Sequence, residues 1–150
     1  MEKDCLSLAK YVINDCCNKG KYINNLKLQK LLYIIQGECL SKIGIPAFYD
    51  EIYAWKCGVI IHSVYFQFAS YASEPILTRY KDYERDFFLK ETVDEVISKN
   101  IDKSHIQLIR ETQGQGTIWE KYYNENQKYI LIPKEEIKNY FNKIRSGNYV

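Results

Sequence analysis

The run Leu28-Gln29-Lys30-Leu31-Leu32-Tyr33-Ile34-Ile35-Gln36-Gly37-Glu38-Cys39-Leu40 decides how the rest of the chain folds. Leu28, Leu31, Leu32, Ile35 and Cys39 recur at helical spacing and form one apolar stripe. At about 100° per residue a second group, Leu26, Lys30, Tyr33 and Gly37, gathers on the opposite side. A helix apolar on both sides is central, with neighbours packed against each face. Asn24 or Asn25 offers the cap, and Gly44 with Pro46 the stop, so a spine helix is expected over about 24–43. Gly37 costs about 1 kcal/mol relative to alanine inside a helix. A bulky ring seated on it would justify that cost, and Trp55 is expected to fill the notch.

Upstream, Asp4 reads as a cap for a helix carrying Cys5, Leu8, Ala9, Val12, Ile13 and Cys16, with Gly20 as its stop. Downstream, residues 48–55 alternate loosely, as a short strand does. After Cys57-Gly58 the spacing of Ile60, Ile61, Val64, Tyr65 and Phe68 predicts a helix running to about Ala72. Residues 73–86 read as a polar connection with a short hairpin strand around Ile76–Thr78. Leu89, Val93, Val96 and Ile97 mark the next helix. Ser104 with Gln107, and Thr117 with Glu120, form capping boxes for two more. Tyr129–Ile132 is a short extended run, and Pro133 opens a last helix that buries Ile137, Tyr140, Phe141 and Ile144. With no repeat, low-complexity tract or linker, 1–150 is expected to be a single domain. Its fold class is mainly α: a compact helical bundle around the spine helix, with at most a small β-hairpin or short strands.

The composition excludes several function classes. Of the 150 residues, 46% are hydrophobic and 27% charged, a globular balance. Twenty-one basic against 19 acidic residues leave a net charge of +2, too small an excess to predict specific nucleic-acid binding. No apolar run has the length of a membrane span, and the charged start, Met1-Glu2-Lys3-Asp4, is not that of a secretory leader. A cytoplasmic protein is therefore expected. Five cysteines, at positions 5, 16, 17, 39 and 57, form no C-x-x-C pair, which argues against a disulfide framework or zinc ribbon. Neither metal nor cofactor is expected, since Cys57 and His62 are only two candidate ligands. Nucleophile-elbow, P-loop and zinc-protease motifs are all missing. His62 and His105 are the only histidines. An enzymatic reading would be a hydrolase or transferase using Cys57 and His62, and it would need an oxyanion hole that nothing signals. Fourteen tyrosines point the other way, toward half-buried contact surface.

The residues Leu28-Gln29-Lys30-Leu31-Leu32-Tyr33 and Gln36-Gly37, followed by Ala54-Trp55, Gly58 and Val64-Tyr65, resemble the Panacea domain, the SocA-like, phage-associated family. Leu8–Ile13, Thr112, Trp119, Glu135-Glu136-Ile137 and Tyr140-Phe141 follow the same order. Two departures stand out. The family's Gly-Pro and its following Pro read here as Gly58-Val59 and His62, and its Thr-His and Pro-Trp elements read as Thr112-Gln113 and Ile118-Trp119. The resemblance implies a protein-binding role without enzymatic activity. Its members are antitoxins that neutralise small toxins by direct complex formation, and one relative is an adaptor delivering its toxin to an AAA+ protease. The alternative within the same class is a phage or mobile-element protein that binds and redirects a host protein such as a defence effector.

Lys30 lies opposite Leu28 and Leu32, beside Tyr33 and Gly37. With Gln36, and with Tyr65 and Gln113 as neighbours, Lys30 and Tyr33 are expected to form the partner-binding patch, with Lys30 exposed. Leu31, Leu32, Gly37, Trp55, Gly58 and Trp119 are expected to be structural.

Overall fold

Asn24, rather than Asn25, caps the spine helix α2 (Asn25–Lys42), its side chain accepting the amide of Lys27 at 2.9 Å. Asn25 turns inward, donating to the Tyr65 carbonyl and accepting from Gln29. The computed structural model describes residues 4–83 and 87–147. Around α2 stand α1 (Cys5–Asn18), the four-residue α3 (His62–Tyr65), α4 (Lys90–Asn100), α5 (His105–Gln113), α6 (Ile118–Tyr122) and α7 (Lys134–Ser146). Helices α1, α3, α4, α5 and α7 all touch α2. Enclosure on so many sides explains why buried positions run almost without break from Leu28 to Leu40.

The strands β1 (Ile52–Trp55), β2 (Gly58–Ile60) and β3 (Ile130–Ile132) make an antiparallel sheet in the order β2-β1-β3. The expected strands near 48–55 and 129–132 are therefore present, and they pair with each other. Ala54 faces Val59 on one side and Ile130 on the other, and Ile52 faces Ile132. Ile52, Ala54, Val59 and Ile132 join the core cluster with Leu28, Leu31, Leu32 and Ile35, and the half-buried Ile130 packs against it. Tyr53 and Trp55 alternate to the other face of the sheet and are half-buried.

Two expectations are corrected. Residues 60–72 do not form one helix, because Gly58–Ile60 is a strand, α3 lasts a single turn, and a 3₁₀ turn covers Ala69–Tyr71. The β-branched run Val59-Ile60-Ile61 favours a pleated strand over a helix, and the apolar spacing alone did not separate the two. Nor is there a strand at Ile76–Thr78. That segment is held singly: Ile76 is fully buried and donates its amide to the Ile23 carbonyl, while Asn14 brackets Tyr80 through both its amide and carbonyl. Residues 84–86 of the expected connection lie outside the described residues.

Both capping serine and threonine residues act as expected: Ser104 accepts from Gln107 and Thr117 from Glu120. The reciprocal arms go elsewhere. Gln107 donates to Glu111, and Glu120 accepts from Gly116.

Gly37 is filled by Phe141 of α7, not by Trp55. A Cβ on Gly37 would lie 2.2–2.4 Å from three carbons of that ring, which also meets Tyr33 edge-on at 5.4 Å. The notch was legible and its occupant was not, because Trp55 and Phe141 are equally apolar in sequence. Gly37→Ala is expected to destabilise the protein by roughly 1–3 kcal/mol through overpacking, despite alanine's better helix propensity. Phe141→Leu should restore part of that loss, and thermal melting of the two single variants and the double variant measures the coupling.

Candidate protein-contact site

Three polar side chains on α2 reach outward and take hold of backbone. Gln36 donates to the Phe48 carbonyl at 2.9 Å and accepts the amides of Ala47 and Phe48, pinning the loop that leads into β1. Gln29 accepts the amide of Ile61 at 2.8 Å, just after β2. Lys30 donates to the Cys57 carbonyl at 3.4 Å, in the two-residue turn between β1 and β2. On the same turn, the Trp119 indole donates to the Trp55 carbonyl at 2.7 Å. Gly58 follows with φ +120, and a Cβ there would sit 2.5 Å from Gln113 Oε1 and 3.1 Å from Lys30 Nζ. Glycine is needed at this position for its backbone angle and for the closeness of those two polar ends.

The expected contact patch therefore separates. Lys30 and Tyr33 are each 1% exposed and Gln36 is fully enclosed, so none of the three can touch a partner in this conformation. The helical wheel placed Lys30 correctly away from Leu28 and Leu32. That side is covered by the β1–β2 turn rather than by water. Burial pushes the Lys30 amine down to about 8, against a smaller upward pull from Cys57. Burial raises the Tyr33 phenol, with a smaller push from Tyr140. The Tyr33 hydroxyl and Gln113 Oε1 are buried without a hydrogen-bond partner. Of the five expected contact residues, Tyr65 and Gln113 keep some exposure.

Tyr65 belongs to a different assembly, on the outer face of the sheet. Its ring meets Trp55 edge-on at 5.3 Å and Phe66 at 5.6 Å. His62 stacks on Tyr53 at 4.2 Å, with the planes 10° apart, and meets Tyr129 edge-on at 3.9 Å. Trp55 and Tyr129 lie 6.2 Å apart, and Phe66 completes the group beside His62. Most of these rings are half-buried, but Phe66 is 60% exposed. Leu131 pairs with Tyr53 across β1–β3, which puts both on the same face, and it is 45% exposed. Half-buried aromatic rings on a firm base are what protein-contact surfaces favour. The alternation of Tyr53 and Trp55 carried this signal in the sequence. The contributions of Tyr129 and His62 depended on tertiary pairing and carried none.

His62 is drawn into this cluster. Its Nε2 is buried without a hydrogen-bond partner, and burial, then Lys128, lowers its pKa. Nothing pairs that nitrogen with the Cys57 thiol. No group of three or more histidine, cysteine, aspartate or glutamate residues suited to a metal occurs among the described residues. No helix among them is long and apolar enough to cross a membrane.

A family model described as antitoxin SocA-like, Panacea domain, matches residues 28–143. The chain belongs to this family. The match contains α2 from Leu28 onward, the sheet, the β1–β2 turn with its anchors and the whole aromatic face. It begins at Leu28, so the likeness seen at Leu8–Ile13 falls outside it. No curated protein and no solved structure shows a significant match. Family membership ties the chain to toxin–antitoxin biology, and so to a protein partner in general.

The buried lysine yields a prediction with a definite sign. Its folded pKa of about 8 lies below the ordinary lysine value of 10.5, so the charged form is disfavoured by folding. Below about pH 8 both states carry the proton and the full penalty stands. Between about 8 and 10.5 the folded state releases its proton first, and stability rises with pH. Lys30→Met removes the charge while keeping most of the stem. The variant should melt at or above the wild type at pH 7, and the gap should shrink as pH passes from 8 to 10.5. A wild type more stable than the variant at pH 7 would show that the Cys57 hydrogen bond outweighs the buried charge.

Proposed function

We propose that this protein is an antitoxin that neutralises a small toxin by direct complex formation, with the aromatic outer face of the sheet as its contact surface. The observation carrying this reading is the cluster of Tyr53, Trp55, His62, Tyr65, Phe66 and Tyr129. It lies inside the matched family region and is held from beneath by Lys30 and Trp119. Partner binding uses rings that are already ordered against one another, which limits the entropy lost on association. The reading involves no catalytic step and no cofactor. It takes residues 1–150 as one Panacea-type domain working in the bacterial cytoplasm, where handing the bound toxin to an AAA+ protease is a natural extension.

The test is neutralisation. Each short reading frame flanking the gene is induced alone in a bacterial host, and then together with this protein. One of them should arrest growth and be rescued by co-expression. Trp55→Ala is the informative variant. Trp55 is half-buried, so the change should cost roughly 1–2 kcal/mol, less than the 3–5 typical of a fully buried aromatic. The variant should therefore stay folded, yet bind the toxin at least tenfold more weakly, about 1.4 kcal/mol. Unchanged rescue and affinity in a folded Trp55→Ala protein would move the contact surface off this face.

A further inference from the structure

The aromatic face carries two cations that the fold does not use. Lys56 stands 6.0 Å from the centre of the Trp55 ring and Lys128 stands 5.5 Å from that of Tyr129. Both lysines are exposed, and neither forms an ion pair with an acid among the described residues. The lysines elsewhere around the sheet are committed: Lys134 pairs with Glu51 at 3.1 Å and Lys121 with Glu136 at 2.9 Å. Asp50, on the approach to β1, is occupied by the Cys5 amide and the Ser63 hydroxyl. Trp55 and Tyr129 are neighbours at 6.2 Å, so the two ammonium groups flank a single apolar platform. Phe66 and Leu131 extend that platform as its most exposed apolar members.

Resting on the antitoxin reading of this face, we propose the chemistry of what it binds: a protein segment with an apolar or aromatic side chain flanked by carboxylates. The apolar group seats on Trp55, Tyr129 and Phe66, and the carboxylates meet Lys56 and Lys128. Charge complementarity selects this occupant. Two unpaired cations over ring faces attract acids, repel basic segments and add to the encounter rate. The ring geometry argues against single-stranded nucleic acid. Successive bases need parallel ring faces to stack on, whereas Tyr53 is stacked by His62, and Trp55 and Tyr129 meet Tyr65 and His62 edge-on. Two cations are also few for tracking a phosphate backbone.

The test needs no toxin, so its outcome is independent of the neutralisation assay. A displayed library of random peptides is selected on the full-length protein, and the recovered peptides are measured by fluorescence anisotropy. The Lys56→Glu/Lys128→Glu and Lys56→Gln/Lys128→Gln double variants are measured in parallel, after thermal melting shows each to be as stable as the wild type. The expected result is enrichment of peptides combining Asp or Glu with Leu, Phe or Trp. Their affinity should fall at least tenfold in the Gln variant and further in the Glu variant, and should weaken as salt rises. Three outcomes overturn the proposal: no enriched binders, binders without acidic residues, or affinity unchanged in both variants. An oligothymidylate that binds the wild type more tightly than the selected peptides at about 150 mM salt would overturn it in favour of nucleic acid. If peptides are selected as expected and no flanking reading frame is neutralised, the chemistry of the face stands and the antitoxin reading falls.

Discussion

A helix enclosed on nearly every side has no solvent in which to place its polar side chains, and α2 is such a helix. Each amide or ammonium group it buries must find a partner inside the protein or cost roughly 1–3 kcal/mol or more unsatisfied. Asn25, Gln29, Lys30 and Gln36 meet that constraint by binding backbone and one another: the loop before β1, the β1–β2 turn, the start of α3 and its end. These segments have little regular structure of their own, since β2 has three residues and α3 four. Their positions are set by the helix beneath them. The geometry of the aromatic face above is therefore a consequence of buried polar chemistry on α2.

This constraint also separates what was legible in the sequence from what was not. The spine, its cap region, its Gly37 notch and the capped helices α5 and α6 follow from local rules that tertiary contacts did not override. The strands β1 and β3 were visible as extended runs, while β2 was lost in a helix-like apolar spacing. Lys30 was the instructive failure. A helix with apolar residues on both sides leaves no open face for a lysine, and that argument should have prevailed over the general rarity of buried lysine. Which backbone the lysine would reach depended on a turn 27 residues away, which no local pattern encodes. The aromatic face was half visible, because alternation marks Tyr53 and Trp55 but says nothing of the α3 and β3 rings that join them.

The division of labour within the turn bears on how the surface works. Lys30 and Trp119 grip the carbonyls of Cys57 and Trp55 from different elements, and Gly58 lets the chain pass close to Gln113. The neighbouring side chains, Trp55 and Lys56, are thereby presented outward on a backbone that is tied down. The cost of this anchoring includes a lysine held against burial and a glutamine oxygen left unpaired. Such strain within a small region is tolerable where the rest of the core, from Leu28 to Phe141, is well filled. It concentrates rigidity beneath the aromatic face, where the proposed contact would benefit from it.

Of the departures from the Panacea pattern, His62 falls on the aromatic face, whereas Val59 and Ile118 are core residues and Gln113 lies against Gly58 in the β1–β2 turn. His62, which the resemblance sets in place of a proline shortly before the Val-Tyr pair, is the first residue of α3. Proline suits the first position of a helix because the missing amide hydrogen has no intrahelical use, so histidine there costs the short helix little. What changes is the surface. A proline presents a small saturated ring, whereas His62 stacks on Tyr53 and meets Tyr129 edge-on, joining the α3 rings to those of β1 and β3. Burial, with Lys128 nearby, favours the neutral imidazole, so it adds aromatic area without adding charge. The histidine thus leaves the short helix in place and adds a ring to the aromatic face, which on the proposed reading is the surface that meets the partner.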